Sequence, residues 1–420
     1  MKRHLIIGNS AAGIAACEAI RKKNAKDKIT IISDEGRQAY CRCLISYYLA
    51  GDVKEKDVAY RPESFYRDNG IELVLNKKVV SVEPGKSVVR CADGTEYGFD
   101  SLLIATGASP RLPKIKGIDK AGVFTFRTMK DAGDIAGVLP AAGSACVLGG
   151  GLVGLKAAYA LNKRGARVKV IVKSDHVLSQ VLDREAASLI QKRLEANGIE
   201  IIFGHDVAEV AGDERVKAVA LDSGKVITSS LLIVCKGVSP NTGLVGGTDI
   251  KVKTGIVADA LLRTSAPSIF AAGDVCESYD IARGETAVNA LWTVAVEQGK
   301  AAGANMCGAN VPYDGSLGMN SLEFFGLQTV SLGIHDVRDD GGFEQIRVRS
   351  TKEGVYKKFV IKNNILVGSV LAGDVRNSGL FLRLIRDRVD VVPFKDRLGA
   401  ENFSFPEIKD FVKDTERMYV

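Results

Sequence analysis

Apolar positions in the first 35 residues fall into two short continuous runs separated by a stretch of different period. Leu5-Ile6-Ile7 leads directly into the small-residue turn Gly8-Asn9-Ser10-Ala11-Ala12-Gly13. An alanine-rich stretch with helical spacing continues to about Asn24, and a second apolar run, Ile29 to Ile32, ends at Ser33-Asp34-Glu35. Short buried runs flanking a helix predict a βαβ unit over Lys2 to Glu35. The pattern returns at Val147-Leu148-Gly149-Gly150-Gly151-Leu152-Val153-Gly154, with a helix predicted over Leu155 to Arg164 and a strand over Val168 to Val172.

Residues 38–51 read as a loop passing into a short helix. Residues 71–104 alternate apolar and polar around Glu83-Pro84-Gly85-Lys86 and Asp93-Gly94, which predicts strands and a hairpin. Leu102 to Ile104 reads as a buried strand ending in the turn Ala105-Thr106-Gly107. Pro110, Pro113 and Gly117 mark a boundary. An amphipathic helix is predicted over Arg184 to Asn197, strands over roughly 199–235, and a break at Gly237-Val238-Ser239-Pro240-Asn241. The chain then returns to the first unit through a last buried strand, Ile269 to Val275, which carries Gly273 and Asp274. A helix ends near Cys307-Gly308. From about Val311 a β-rich segment begins, closing with a charged helical stretch over Leu380 to Arg388.

The two turns suggest their chemistry. Gly8 makes a tight bend, Gly13 lets helix and strand approach, and the free N–H groups of the helix start face a pyrophosphate. Asp34 or Glu35, about 20 residues on, can accept hydrogen bonds from a ribose. Ser10 occupies the middle glycine position, and Ala11 and Ala12 complete the turn. The second turn, with Gly149, Gly151, Leu152, Val153 and Gly154, has no such departure. Two dinucleotide sites in one chain point to a permanently held FAD and a visiting nicotinamide cofactor.

Composition changes this picture little. A hydrophobic fraction of 46% with 25% charged residues suits a globular protein. No apolar stretch reaches about 18 residues, so no membrane span is expected. The chain enters its first strand at once, which predicts no signal peptide and a cytoplasmic protein. The eight cysteines show no C-x-x-C or metal-type pairing, as in a reduced chain. The net charge of +7 comes without a dense basic stretch, which excludes nucleic acid and is compatible with an acidic protein partner.

With these motifs in order, the chain resembles the pyridine-nucleotide-disulfide oxidoreductase superfamily over roughly residues 3–310. Within it, the chain is similar to NADH:rubredoxin and ferredoxin reductases and to NADH oxidases and coenzyme A-disulfide reductases. Asn320 to Gly326 looks like the start of the C-terminal domain of that group. The resemblance implies that Asp274, after the Gly273 turn, contacts the ribityl or phosphate region of FAD. It also implies that Ala105, Thr106 and Gly107 lie near the adenosine and pyrophosphate, and that Gly237 belongs to the NAD(P)H side.

Some positions depart from that group. Cys41-Arg42-Cys43 stands where NADH oxidases carry one redox cysteine and ferredoxin reductases carry proline. Cys43 is read either as a redox thiol, its thiolate favoured by Arg42 and a helix start, or as a small packing residue. Arg42 is either a partner for an acidic carrier or substrate or a surface charge. Lys156 replaces a glutamate expected beside nicotinamide and flavin; it either favours anionic reduced flavin or faces outward. Val172 stands where NADH-specific relatives end the strand with an acid. Lys173 would admit a 2′-phosphate, whereas Asp175 could bind the free hydroxyl, and NADH stays slightly ahead on resemblance. Trp292 and Glu297-Gln298-Gly299 stay open between core packing and flavin contact.

The expected architecture is α/β: two Rossmann-like dinucleotide-binding domains, for FAD (1–111 and 237–310) and NAD(P)H (112–236), plus a C-terminal α+β domain (311–420) for dimerisation or docking in a homodimer or hetero-oligomer. The expected activity is FAD-dependent NAD(P)H:acceptor oxidoreduction. Hydride is exchanged between nicotinamide and FAD, and electrons pass to or from a small iron protein (rubredoxin or ferredoxin) or the iron–sulfur subunit of a larger redox complex. The alternatives are an NADH oxidase or coenzyme A-disulfide or persulfide reductase using Cys43, and a slow-turnover assembly or sensor protein.

Overall fold

The computed structural model describes residues 1–337, 341–349 and 354–412. Among the described residues, three five-stranded sheets organise the chain, two parallel and one antiparallel, with smaller sheets beside them. In the first sheet the spatial order is Ile269–Ala271, Ser101–Ile104, Arg3–Ile7, Lys28–Ile32, Ile71–Val74. Both faces of such a sheet are covered, which is why its strands are unbroken apolar runs. Ile6, Ile14, Ile29 and Ile31 have no exposed surface, and burying each contributes roughly 1.5–3 kcal/mol.

The second sheet repeats the arrangement as Ile199–Phe203, Arg167–Val172, Ser144–Leu148, Leu231–Val234, Val123–Thr125. The two stretches that connect the sheets, Ala108–Pro110 and Val238–Pro240, pair antiparallel as one ribbon. Side chains lock it: Ser109 donates to Asn241 at 2.8 Å and Arg111 to Ser239 at 2.8 Å. The antiparallel sheet runs Met319–Phe324, Leu327–Gly333, Ile365–Ala372, Tyr356–Lys362, Phe343–Arg349. Helix Ser378–Asp387 packs on it, beginning two residues earlier than the charge pattern suggests.

Two helices differ from expectation. The second dinucleotide helix spans Leu152–Lys163 rather than starting at Leu155, because the last residues of the glycine turn already form its first turn. Helix Met129–Ala142 was not expected, yet its start is written in the chain. Thr128 accepts from the Asp131 N–H, and Asp131 reaches back to the Thr128 N–H, a reciprocal capping box.

Helix Trp292–Met306 crosses helix Ala11–Lys23 at very short range. A Cβ on Gly299 would sit 2.3 Å from the Ala12 carbonyl oxygen, and one on Gly303 2.4 Å from that of Ala16. This close approach holds the C-terminal helix of the first unit against the turn that carries the site.

His4 is 1% exposed and lies 3.0 Å from Asp27 and 2.6 Å from the Ser101 hydroxyl. A charged pair would raise its pKa, but burial dominates and holds it below the usual histidine range. The contact is therefore a hydrogen bond from a neutral imidazole. His335 is held low by burial as well. The unfolded chain then binds more protons than the native one below the ordinary histidine pKa of about 6.5, so stability falls as pH drops through that value. Thermal melts should show a lower Tm at about pH 5.5 than at about pH 7.5, and His4→Gln should flatten part of that slope. A flat profile in the parent protein would overturn this reading.

Candidate functional site

The turn Gly8–Gly13 opens onto a cavity of about 580 Å³. Gly8 has φ +120°, and its backbone lies so near the end of the next strand that a Cβ would be 2.1 Å from the Ala105 carbonyl oxygen. Gly13 stands behind the turn, where a Cβ would be 2.0 Å from the Gly8 oxygen. Helix Ala11–Lys23 starts with no side-chain cap from Ser10 and no acid in its first turn. Its free N–H groups are therefore open to an anion.

Of the other residues expected on this side, Gly8, Ser10, Ala11, Ala12, Asp34, Glu35, Arg42, Cys43, Ala105, Thr106, Gly107, Gly273 and Asp274 all line the cavity, brought there from five separate stretches. Trp292 lines it as well, edge-on to Tyr60 at 4.9 Å. The uncapped helix start, the cradle that any Cβ would fill and the carboxylates at the far end together fit a dinucleotide.

Charges on the rim are already arranged in pairs. Glu35 accepts from Arg42 and, at 2.8 Å, from the Tyr40 hydroxyl. Arg42 also donates to the Arg127 carbonyl at 3.1 Å. Arg42 is thus a structural tie across the rim and not a free surface charge. Asp274 accepts from Arg127 at 2.6 Å. The Gly273 turn before it is held by Gln298, 1% exposed, whose Oε1 accepts from the Gly273 N–H at 2.7 Å while its Nε2 donates to Ser278. Arg127, Lys77 and Lys78 line the cavity and were not singled out in the sequence. Asn241 stood there as the end of the Gly237–Asn241 motif, and Gln298, which holds the Gly273 turn from behind, stood open.

Cys43 lines the cavity, and Cys41 stands beside it at the start of the turn Arg42–Leu44. The two thiols titrate as a pair, each shifted first by its contact with the other, so the first proton leaves the pair more readily than it would leave an isolated thiol and the second less readily. Arg42 does not contribute to this, because its guanidinium is turned to Glu35.

Lys156 also sits elsewhere. It does not line the cavity; its Nζ donates to the Glu323 carbonyl at 3.2 Å and lies over the Tyr47 and Phe324 rings at 5.4 and 5.1 Å. Burial lowers its pKa. The helix face carrying it packs toward the C-terminal sheet.

The second turn reproduces the first. Gly149 has φ +123°, and a Cβ on Gly154 would be 2.0 Å from the Gly149 oxygen. The following helix begins at Leu152 with Gly151 as its cap residue, with no capping side chain and no acid in its first turn. Val153 is 46% exposed on the open side. Val172 packs onto Gly150. Lys173 lies exposed, 3.9 Å from Asp206, which Lys236 holds at 2.9 Å just before Gly237. Asp175 is engaged by His176 at 2.6 Å and by Arg184.

Fold and site together define a flavoprotein-type chain with two dinucleotide turns in series. Residues 2–299 match the pyridine nucleotide-disulphide oxidoreductase family, and residues 319–389 match the rubredoxin NAD+ reductase C-terminal domain. The chain belongs to the pyridine nucleotide-disulphide oxidoreductase family, whose cofactors are FAD and NAD(P)H. It is 34% identical to the nitrite reductase [NAD(P)H] of Bacillus subtilis (strain 168) over 93% of its own length and 48% of that protein, so it spans about half of that relative. It is 29% identical to the epsilon subunit of the NADH-dependent phenylglyoxylate dehydrogenase of Aromatoleum evansii, over 95% of this chain and 94% of that one. The crystal structure of a ferredoxin reductase from Rhodopseudomonas palustris superposes with a TM-score of 0.83 at 26% identity, covering 91% of this chain and 94% of that one. Among the described residues no helix is long and apolar enough to cross a membrane.

Proposed function

We propose that the chain is an NAD(P)H:acceptor oxidoreductase that exchanges electrons with a small iron protein or with the iron–sulfur subunit of a larger complex. The carrying observation is the pairing of two equivalent glycine turns across the Ala108–Pro110 and Val238–Pro240 ribbon, with a C-terminal sheet matching that of rubredoxin reductases. FAD, when bound, supplies the conversion between two-electron nicotinamide chemistry and one-electron carrier chemistry. The chain's residues bind and orient. Gly8 to Gly13 present N–H groups to the pyrophosphate, Asp34 and Glu35 stand at the ribose end, and Gln298 fixes the Gly273-Asp274 turn. All eight cysteines are free, as a reducing compartment such as the cytoplasm keeps them.

A second reading, reduction of a small disulfide or persulfide, is favoured by one observation: the Cys43 thiol, with Cys41 beside it, lines the same cavity as the first glycine turn. An anaerobic NADH titration of the oxidised protein separates the two. One equivalent per flavin, with rubredoxin or ferredoxin reduction surviving in Cys43→Ser within about twofold, is the expected result. Two equivalents, with a long-wavelength thiolate–flavin band lost in Cys43→Ser or Cys41→Ser, would sink the iron-protein reading.

A further inference from the structure

Residues 40–58 belong by sequence to the first unit, but their core lies elsewhere. Ile45 and Leu49 pack into one buried cluster with Met129 and Ile135 of helix Met129–Ala142 and with Leu155 of the helix after the second glycine turn. The strands and helix around the first glycine turn form a separate cluster. Ala39 lies in that first cluster and Tyr40 in the other, so the chain crosses between the two cores at one peptide bond. The stretch that brings Arg42 to the first cavity is therefore built onto the second unit.

Tyr40 stands at the crossing. It is 6% exposed, and its hydroxyl is used twice: it donates to Glu35 at 2.8 Å and accepts the Met129 N–H at 3.1 Å. Met129 opens its helix, so this N–H is one of the backbone donors that a helix start leaves without an internal partner. Burial pushes the Tyr40 phenol up to about 12, so at neutral pH the proton shared with Glu35 stays on the tyrosine. Two more ties meet the same short segment. Arg42, which donates to Glu35, also donates to the Arg127 carbonyl, and the Arg127 guanidinium donates to Asp274. The carboxylates at the first-unit end of these ties, Glu35 and Asp274, both line the cavity below the first glycine turn.

A carboxylate accepts about four hydrogen bonds, and Glu35 gives two to Tyr40 and Arg42. A ligand hydroxyl donating to Glu35 from the cavity holds that carboxylate still, and with it the two side chains that hold residues 127–129. The ordering is then met once for two ligands, which is the condition for positive coupling between their sites. We propose that Tyr40 is a positioning residue linking Glu35 to the start of helix Met129–Ala142, so that a dinucleotide bound at either glycine turn strengthens binding at the other. The coupling runs through the protein and needs no contact between the two cofactors. It rests on reading the two turns as the FAD and NAD(P)H sites.

The test is FAD release from the loaded protein on dilution, read at equilibrium by flavin fluorescence, with and without saturating ADP-ribose. ADP-ribose carries the pyrophosphate for the second turn but no nicotinamide to lay on a flavin. In the parent protein it should lower the FAD dissociation constant about tenfold, and in Tyr40→Phe less than about twofold. Tyr66→Phe is the matched control. The Tyr66 hydroxyl, on a side chain also 6% exposed, donates to Asn9 at 2.8 Å and accepts the Ala39 N–H at 3.0 Å, so both its ties stay inside the first unit. That variant should release FAD more readily yet keep the tenfold effect. A second pair removes the other end of the tie. Met129→Pro lacks the N–H at a helix position where proline is tolerated, whereas Met129→Ala keeps it, and only the proline should uncouple. An effect that persists in Tyr40→Phe and Met129→Pro would overturn the proposal. Loss of the effect in Tyr66→Phe as well would mean a general loosening of the loop and overturn it too, as would no effect in a parent protein that binds ADP-ribose by calorimetry. Failure of ADP-ribose to bind the parent would defeat the reading of the second turn, and the coupling with it.

Discussion

Gly8→Val is expected to yield a colourless protein with no visible flavin absorbance after purification. At this position a side chain meets two obstacles that cannot give way. The backbone sits at φ +120°, where L side chains are strained, and the nearest atoms are the carbonyl oxygen and carbon of Ala105 at 2.1 and 2.8 Å. Relief requires the ends of strands Arg3–Ile7 and Ser101–Ile104 to part, breaking the 2.8 Å bond from the Ala105 N–H to the Ile7 oxygen. The cost is on the order of 2–5 kcal/mol in stability, and the pyrophosphate cradle closes. Gly154→Val is the internal control, since its Cβ would lie 2.0 Å from the Gly149 oxygen in the other unit. That variant should keep its colour and lose NAD(P)H-driven flavin bleaching by roughly 100-fold, equivalent to about 3 kcal/mol of binding. A yellow Gly8→Val protein with normal flavin content would sink the assignment of the first turn.

Asp183→Ala should be the most destabilising single side-chain truncation at the junction between the second unit and the C-terminal sheet. Asp183 caps helix Arg184–Ala196 by accepting from the Ala186 N–H at 3.0 Å. It also accepts from the Tyr356 hydroxyl at 2.6 Å and from Lys358 at 3.2 Å. Lys358 is only 1% exposed. Removing the carboxylate strands a buried ammonium and a buried hydroxyl at once, at a cost of about 3–5 kcal/mol, with roughly 1 kcal/mol more for the lost cap. The double variant Asp183→Asn with Lys358→Met keeps the cap and the Tyr356 contact and removes both charges. It should recover most of that loss, because a buried ion pair adds little over well-packed neutral groups. Urea unfolding of the three proteins decides; a loss below about 1 kcal/mol in Asp183→Ala would refute the hub.

Both predictions join features of very different visibility in the chain. The Gly8 and Gly149 turns, the helices after them and the strands they link were readable directly, because each depends on residues within a dozen positions. The capping box at Thr128-Met129-Lys130-Asp131 was equally local and was passed over only because no apolar run announced it. The Asp183 hub could not be read. Its partners lie 173 residues or more away, and a lysine in a strand ordinarily faces water.

Local chemistry alone therefore determined the repeated βαβ units, their order, the two dinucleotide turns and the residues of the first cavity that follow each strand. Glycines at strand ends and apolar periodicity act over a few bonds, so the chain displays them directly. Only the tertiary structure placed Asp274, from 231 positions further on, beside the Cys41–Cys43 pair at the cavity. It alone sent Lys156 to the C-terminal sheet, paired Arg127 with Asp274 and gathered Gln180, Asn320 and His335 around one pocket. These are contacts between surfaces that meet only after each unit has folded, and no sequence period encodes which polar side chains will face one another across them.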